Sequence, residues 1–119
     1  MNWIAIAGIN LSIAVALGAF GAHGLKSIVN SEQLAWWHTG TLYLFFHALG
    51  LLMMGILIKG WHYPQGMAWM MQLGMLLFAG SLFAMTLGLP RWLGAITPIG
   101  GILMMGAWLW LAWAAIQSG

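Results

Sequence analysis

Charge is almost missing from this chain. Of its 119 residues, three are basic and one is acidic: Lys26, Lys59, Arg91 and Glu32. Soluble domains carry roughly 25% charged residues, against 3% here. With one carboxylate there is no acid pair for general acid–base work, and no acid to orient a Ser–His couple, so the chain is not expected to be an enzyme. Nucleic-acid binding is excluded as well, because it needs a clustered basic face and the net charge is only +2. Cysteine is absent, which removes disulfides, thiolate chemistry and cysteine-ligated metals. A small proton-coupled exporter needs a carboxylate inside the membrane, yet Glu32 falls in a connection between apolar segments.

What fills the space is apolar. Hydrophobic residues make up 63% of the chain, more than a soluble core of this size could bury. Stretches 1–25, 33–58, 60–90 and 92–119 contain no Lys, Arg, Asp or Glu. A bilayer core about 30 Å thick takes roughly 20 apolar residues of helix, so each stretch can cross once. The expected architecture is all-α: one membrane domain over residues 1–119, an antiparallel bundle of four transmembrane helices. The spans are Trp3–His23, Trp37–Ile58, Met67–Leu89 and Trp92–Ile116. The N-terminus has small residues (Ala19, Gly21, Ala22) where a signal peptide would be cut. However, it lacks a basic start, and Trp3–Ala22 is longer than the apolar part of such a leader. It is expected to be the first transmembrane helix.

The connections support these spans. Residues 24–36 mix Lys26, Ser27, Asn30, Ser31, Glu32 and Gln33 with Leu25, Ile28, Val29 and Leu34, which predicts a short interfacial helix between helices one and two. Ser31 is expected to cap its second part, with Glu32 favoured near that N-terminus. Tyr63-Pro64-Gln65-Gly66 is a turn; Leu89-Pro90-Arg91 is a tight one. Indole rings favour the headgroup level. Trp3, Trp61, Trp69, Trp108, Trp110 and Trp113 fall toward one membrane face, and Trp36, Trp37 and Trp92 toward the other. An even helix count sets Lys59 and both termini opposite Lys26 and Arg91. Two basic residues against one place Lys26 and Arg91 in the cytoplasm.

Helices in lipid associate through small residues that let backbones approach. Helix one offers Gly8–Ser12–Ala16–Ala19 and Ala14–Gly18–Ala22; helix three offers Gly80–Ala84–Gly88. Helix four has Gly94, Gly100, Gly101, Gly106 and Ala107, with Pro98 expected to bend its first turns. Stripes not consumed inside the bundle could serve self-association or a larger membrane partner. Met67, Met71 and Met75 also recur at intervals of four; thioethers suit copper(I), but methionine is a common flexible filler and no histidine joins them, so packing is expected and no metal site.

His47 lies about 15 Å below the Trp37 end of its helix, with Tyr43 one turn earlier on the same face. An ionisable side chain at that depth is a functional candidate by default; the plain alternative is a neutral imidazole gluing helices. His23 falls at the interface, as do His38 and His62. Asn10, Gln72 and Thr97 complete the polar candidates. A haem iron shared by His23 and His47 needs both at one depth, and the spans separate them. No cofactor is called for, although haem and quinone stay open.

Leu17–Leu25 reads LGAFGAHGL, Tyr43 is followed by HALGLL at His47–Leu52, Gly80–Gly88 reads GSLFAMTLG, and Leu93–Gly101 reads LGAITPIGG. In this order the motifs resemble the family called domain of unknown function 423, over nearly the whole chain. The resemblance implies a small four-helix protein of the bacterial inner membrane, with a mitochondrial relative in animals. It puts His23, Tyr43, His47, Ser81, Thr86, Thr97 and Pro98 at family-motif positions; where this chain has Phe46 the pattern often has a second tyrosine. It implies no activity. Three functions follow from the residues: a non-catalytic packing protein or accessory subunit, a module binding a quinone or lipid through Tyr43 and His47, and a facilitator for a small neutral solute. The last requires a polar path through Asn10, His47, Gln72 and Thr97.

Overall fold

The computed structural model describes all 119 residues, and every regular element is helical. Four α-helices run α1 (Trp3–His23), α2 (Ser31–Trp61), α3 (Gly66–Thr86) and α4 (Thr97–Ser118), with 3-10 turns at Leu25–Ser27 and Arg91–Ala95. All four spans are long and apolar enough to cross a membrane. Backbone neighbours follow chain order, α1 on α2, α2 on α3 and α3 on α4, so α2 and α3 form the middle of the bundle and α1 and α4 its flanks. Successive helices are antiparallel.

The helix ends have local causes. Asn2 accepts from the Ala5 amide to start α1. At α2 the cap is Asn30, not Ser31: Asn30 Oδ1 accepts from the Gln33 amide at 2.8 Å, and Gln33 Oε1 accepts from the Asn30 amide at 3.0 Å. This reciprocal pair fixes the first turn of α2 and absorbs residues 31–36 into it. What stands between the first two spans is therefore a three-residue 3-10 turn rather than a longer amphipathic helix, with Leu25 buried beneath it. α2 ends at His62, whose φ of +56° is left-handed, and Pro64 follows. α3 stops before Gly88, where φ is +101°, a backbone angle that suits glycine. Pro98 does not bend α4. It lies in the first turn, where its missing N–H costs nothing and its fixed φ favours initiation, so residues expected at the start of the fourth span form the preceding 3-10 turn.

The centre is filled. Leu51, Met54, Met67, Met71 and Met75 are fully buried, with Ala48 and Ala107 among them. The Met67–Met71–Met75 stripe is thus packing along the first half of α3. Outside, Ile9, Leu42, Met53, Ile102, Leu109 and Ile116 are exposed. In water such an apolar surface would aggregate; in a bilayer it is the solvated face.

Tryptophan behaves differently from a simple belt. Trp3 and Trp37 are almost wholly buried. Trp37 lies against Gly21, where an added Cβ would come within 2.5 Å of the ring, and its Nε1 donates to the Leu17 carbonyl at 2.8 Å. Trp3 donates to Gln65 at 3.2 Å and meets the Trp69 ring edge-on at 5.0 Å. Phe83 fills the space above Gly40, Trp108 that above Gly50 and Trp110 that above Gly66. Backbones come closest at the α3–α4 seam, where a Cβ on Gly74 would lie 2.9 Å from the Gly100 carbonyl oxygen and one on Gly100 would strike the Phe78 amide. A looser approach joins α2 to α1, where a Cβ on Gly55 would lie 3.0 Å from the Ile4 amide nitrogen.

Of the small residues expected to pack helices, Ala14 is buried, Gly18 meets Thr41, Gly101 meets Phe78, and Ala84 is half-buried. Gly8, Ser12, Ala22, Gly80 and Gly88 are exposed, and a Cβ on Gly8, Gly80 or Gly88 would touch nothing. Several of the glycines at helix contacts face an aromatic ring instead, Gly21, Gly40, Gly50 and Gly66 among them.

Candidate functional site

Polar side chains within the bundle separate into distinct groups. Asn10 and Gln72 pair across α1 and α3: Asn10 Nδ2 donates to Gln72 Oε1 at 2.7 Å and to the Ile6 carbonyl at 2.9 Å. Gln72 Nε2 returns a longer bond to Asn10 Oδ1 at 3.4 Å. Ser81 and Thr97 hydroxyls share a short hydrogen bond between α3 and the start of α4, and Ser81 also donates to the Phe78 carbonyl. Near the Arg91 end, Gln33 Nε2 donates to the Thr86 carbonyl at 3.2 Å, while Thr86 Oγ1 donates to the Gln33 carbonyl at 3.1 Å. This two-way clasp ties the start of α2 to the end of α3. At the same end Arg91 pairs with Glu32 at 2.7 Å, with its guanidinium 5.2 Å from the Trp36 ring centre.

Tyr43 and His47 form the remaining group, on the α2 surface toward α4. His47 is the seventeenth residue of a 31-residue helix, about 24 Å from its start and about 21 Å from its end by helical rise, and so near the middle of the bilayer. Its Nδ1 is 2.8 Å from the Tyr43 carbonyl oxygen. A carbonyl only accepts, so in the neutral ring Nδ1 carries the hydrogen and Nε2 presents a lone pair. Tyr43 stacks on His47 at 5.6 Å with planes 5° apart and meets Phe78 of α3 at 4.4 Å. Trp108 of α4 closes the other side, 5.9 Å from the imidazole. Trp108 can reach it because Gly50 has no side chain in the way.

The six expected ligand-site residues therefore do not form one site. Asn10 joins Gln72, Tyr43 joins His47, Thr97 joins Ser81, and His23 stands exposed at the end of α1. Gly21 against Trp37 fixes the α1–α2 register, which puts His23 and His47 about 18 Å apart along the bundle axis. They cannot hold one iron between them. No hydrogen bond links Asn10–Gln72, His47 and Thr97, and the methionine-rich centre lies where a polar path would run. The facilitator route is not built.

Two partners at these sites are not expected from the sequence patterns above. Gln33 sits among polar residues that suit an interfacial helix, although its Asn-x-x-Gln spacing from Asn30 is a capping-box signature. Trp108 suits an aromatic belt, and only the α2–α4 register pairs it with Gly50.

Residues 17–101, which contain all four motifs, match the sequence model described as "Protein of unknown function (DUF423)". The chain belongs to the DUF423 family. It is similar along almost its full length to bacterial members. One is the UPF0382 membrane protein YwdK of Bacillus subtilis, 39% identical over 118 residues, which covers 97% of this chain and 96% of the relative. Another, from Staphylococcus epidermidis, is 38% identical over 116 residues, 97% of this chain and 95% of the relative. A Haemophilus influenzae member is 32% identical over 118 residues, 98% and 95% of the two chains. No solved structure matches. This DUF423 chain is accordingly a multi-pass membrane protein, from a family to which no activity is assigned.

Proposed function

We propose that this DUF423 protein is a non-catalytic packing protein of the bacterial inner (cytoplasmic) membrane, acting through lateral contact with another transmembrane segment. That segment belongs to a second copy or to a larger membrane complex. The outer face of α1 carries the reading. Gly8, Ser12, Ala16 and Ala19 follow one another at helical spacing and are all exposed, and a Cβ on Gly8 would meet no atom within 4 Å. Small residues in membrane helices are worth most where a second backbone approaches. The other helices place most of their glycines against rings or backbone of their own chain; α1 keeps its longest small-residue stripe free. A non-enzymatic role fits the chemistry, since the sole carboxylate is tied to Arg91 at the bundle end. The positive-inside rule puts that end in the cytoplasm.

The test is native mass spectrometry of protein extracted mildly from its own membranes. The expected result is a species well above the 13.0 kDa chain, lost when Gly8 and Ser12 are both replaced by leucine. A species of 13.0 kDa throughout would overturn the proposal.

A further inference from the structure

We infer that the Tyr43–His47 ledge is a binding site for a lipophilic ring compound bearing a hydroxyl group, a hydroquinone-type molecule held at mid-membrane. This goes beyond the packing role and uses a different face of the bundle.

The inference rests first on an unmet hydrogen-bonding group. His47 Nε2 has no hydrogen-bond partner in the chain, and no half-buried side chain leaves a polar atom both enclosed and unpartnered. Nε2 therefore reaches the lipid-facing surface. Hydrocarbon supplies neither donors nor acceptors, and a polar group left bare there is costly. The amide and hydroxyl groups held inside the bundle at that depth avoid the cost: Asn10 has Gln72, and Ser81 has Thr97; the exposed Ser12 hydroxyl on α1 makes no side-chain hydrogen bond. His47 has one nitrogen satisfied and the other turned outward.

The tautomer defines what can meet it. With Nδ1–H given to the Tyr43 carbonyl, Nε2 can only accept, so the ligand must donate. A hydroxyl does so, whereas a fatty acyl chain cannot. The surroundings then define the body of the donor. Imidazole and phenol lie parallel within 5°, Phe78 flanks the phenol and Trp108 flanks the imidazole. This row of rings suits a flat aromatic ring, which gains from stacking with offset or edge geometry. The Tyr43 hydroxyl, itself without a partner in the chain and on a residue 41% exposed, supplies a donor or acceptor for a second oxygen across the same ring. One accepting nitrogen, one phenol and a row of rings match a ring with two oxygens better than a simple alcohol.

Solid-state NMR of 15N-histidine-labelled full-length protein in lipid bilayers tests this, with decylhydroquinone as probe. His47 is identified as the resonance missing from His47→Phe. The unprotonated Nε2 signal is expected to move upfield, saturably, as hydroquinone is added, while the dimethyl ether of the same probe leaves it in place. Decanol should bind about tenfold more weakly than decylhydroquinone, and His47→Phe should weaken hydroquinone binding by about tenfold, the loss of one buried hydrogen bond. Tyr43→Phe should weaken it by a few-fold. An Nε2 signal unmoved by saturating hydroquinone in the unaltered protein would overturn the inference, whatever the variants do. So would equal binding of the ether. A signal already hydrogen-bonded before any probe is added, and insensitive to it, would assign Nε2 to a protein neighbour and overturn it too.

Discussion

At the seam between α3 and α4, Gly74 and Gly100 bring two backbones into contact; on the outer face of α1, Gly8, Ser12, Ala16 and Ala19 are all exposed, and a Cβ on Gly8 would meet nothing of its own chain. The residue chemistry of the two faces is the same. A missing side chain only permits close approach; whether the space is used depends on which helix the turns deliver to it. The short connection after α3 folds α4 back onto it, and the seam closes. α1 is held by α2 on one side and reaches α3 through the Asn10–Gln72 and Trp3–Gln65 bonds, and its third face is left to the membrane.

The sharpest way to test that contrast is to add bulk on each side. Gly100→Val pushes a side chain into the Phe78 amide and the Gly74 carbonyl, neither of which can rotate away. A loss of about 3 kcal/mol or more is expected, at the top of the range for overpacking. Gly8→Val has open space around it and should stay within about 0.5 kcal/mol of the parent in monomer stability. Unfolding in mixed micelles with increasing sodium dodecyl sulfate, followed by tryptophan fluorescence, measures both. Equal losses would break the comparison.

Gly50→Ala probes the ring-against-glycine contacts. Its methyl meets the Trp108 ring, the movable end of a side chain, so a smaller cost of about 1–2 kcal/mol is expected. The same change should displace Trp108 from His47 and weaken hydroquinone binding. Asn10→Leu deprives Gln72 of its partner and should cost about 0.6 kcal/mol, the average for cross-helix hydrogen bonds in membranes, in the same unfolding assay. Glu32→Gln should matter least. The pair with Arg91 is largely exposed, at 57% and 78%, and such pairs contribute under about 1 kcal/mol. Its small effect should vanish in high salt.

The architecture was legible because charge and length write it directly: four uncharged runs, each long enough to cross, separated by Lys26–Glu32, Lys59 and Arg91. The ends of α1 have causes close by in the chain, with Asn2 as its N-cap and Gly24 as its C-cap. The start of α2 was not legible, since Gln33 lies among polar residues that suit a solvent-facing turn, and its role comes from the reciprocal bonds with Asn30. Nor was the behaviour of the tryptophans. A Trp near a helix end suits the headgroup layer whether it faces lipid or a neighbouring glycine; only the register between helices separates Trp92, which is exposed, from Trp37, which fills the space over Gly21. Tyr43 and His47 could be placed on one face from their spacing. Phe78 and Trp108, which complete that group, come from other helices, Trp108 lying 61 residues beyond His47 in the chain, and periodicity carries no information about such distances.

Because the protein has no cysteine, single introduced thiols report on one position at a time. Gly8→Cys, Ser12→Cys, Ala16→Cys and Ala19→Cys, made singly and oxidised in native membranes, are expected to give cross-linked species, with Ile102→Cys and Leu109→Cys on the lipid-facing side of α4 giving none. A homodimer band would identify a second copy, and a heavier adduct another subunit. Cross-linking that is absent along α1, or equally strong on α4, would contradict the claim that the free small-residue face of α1 is an interface.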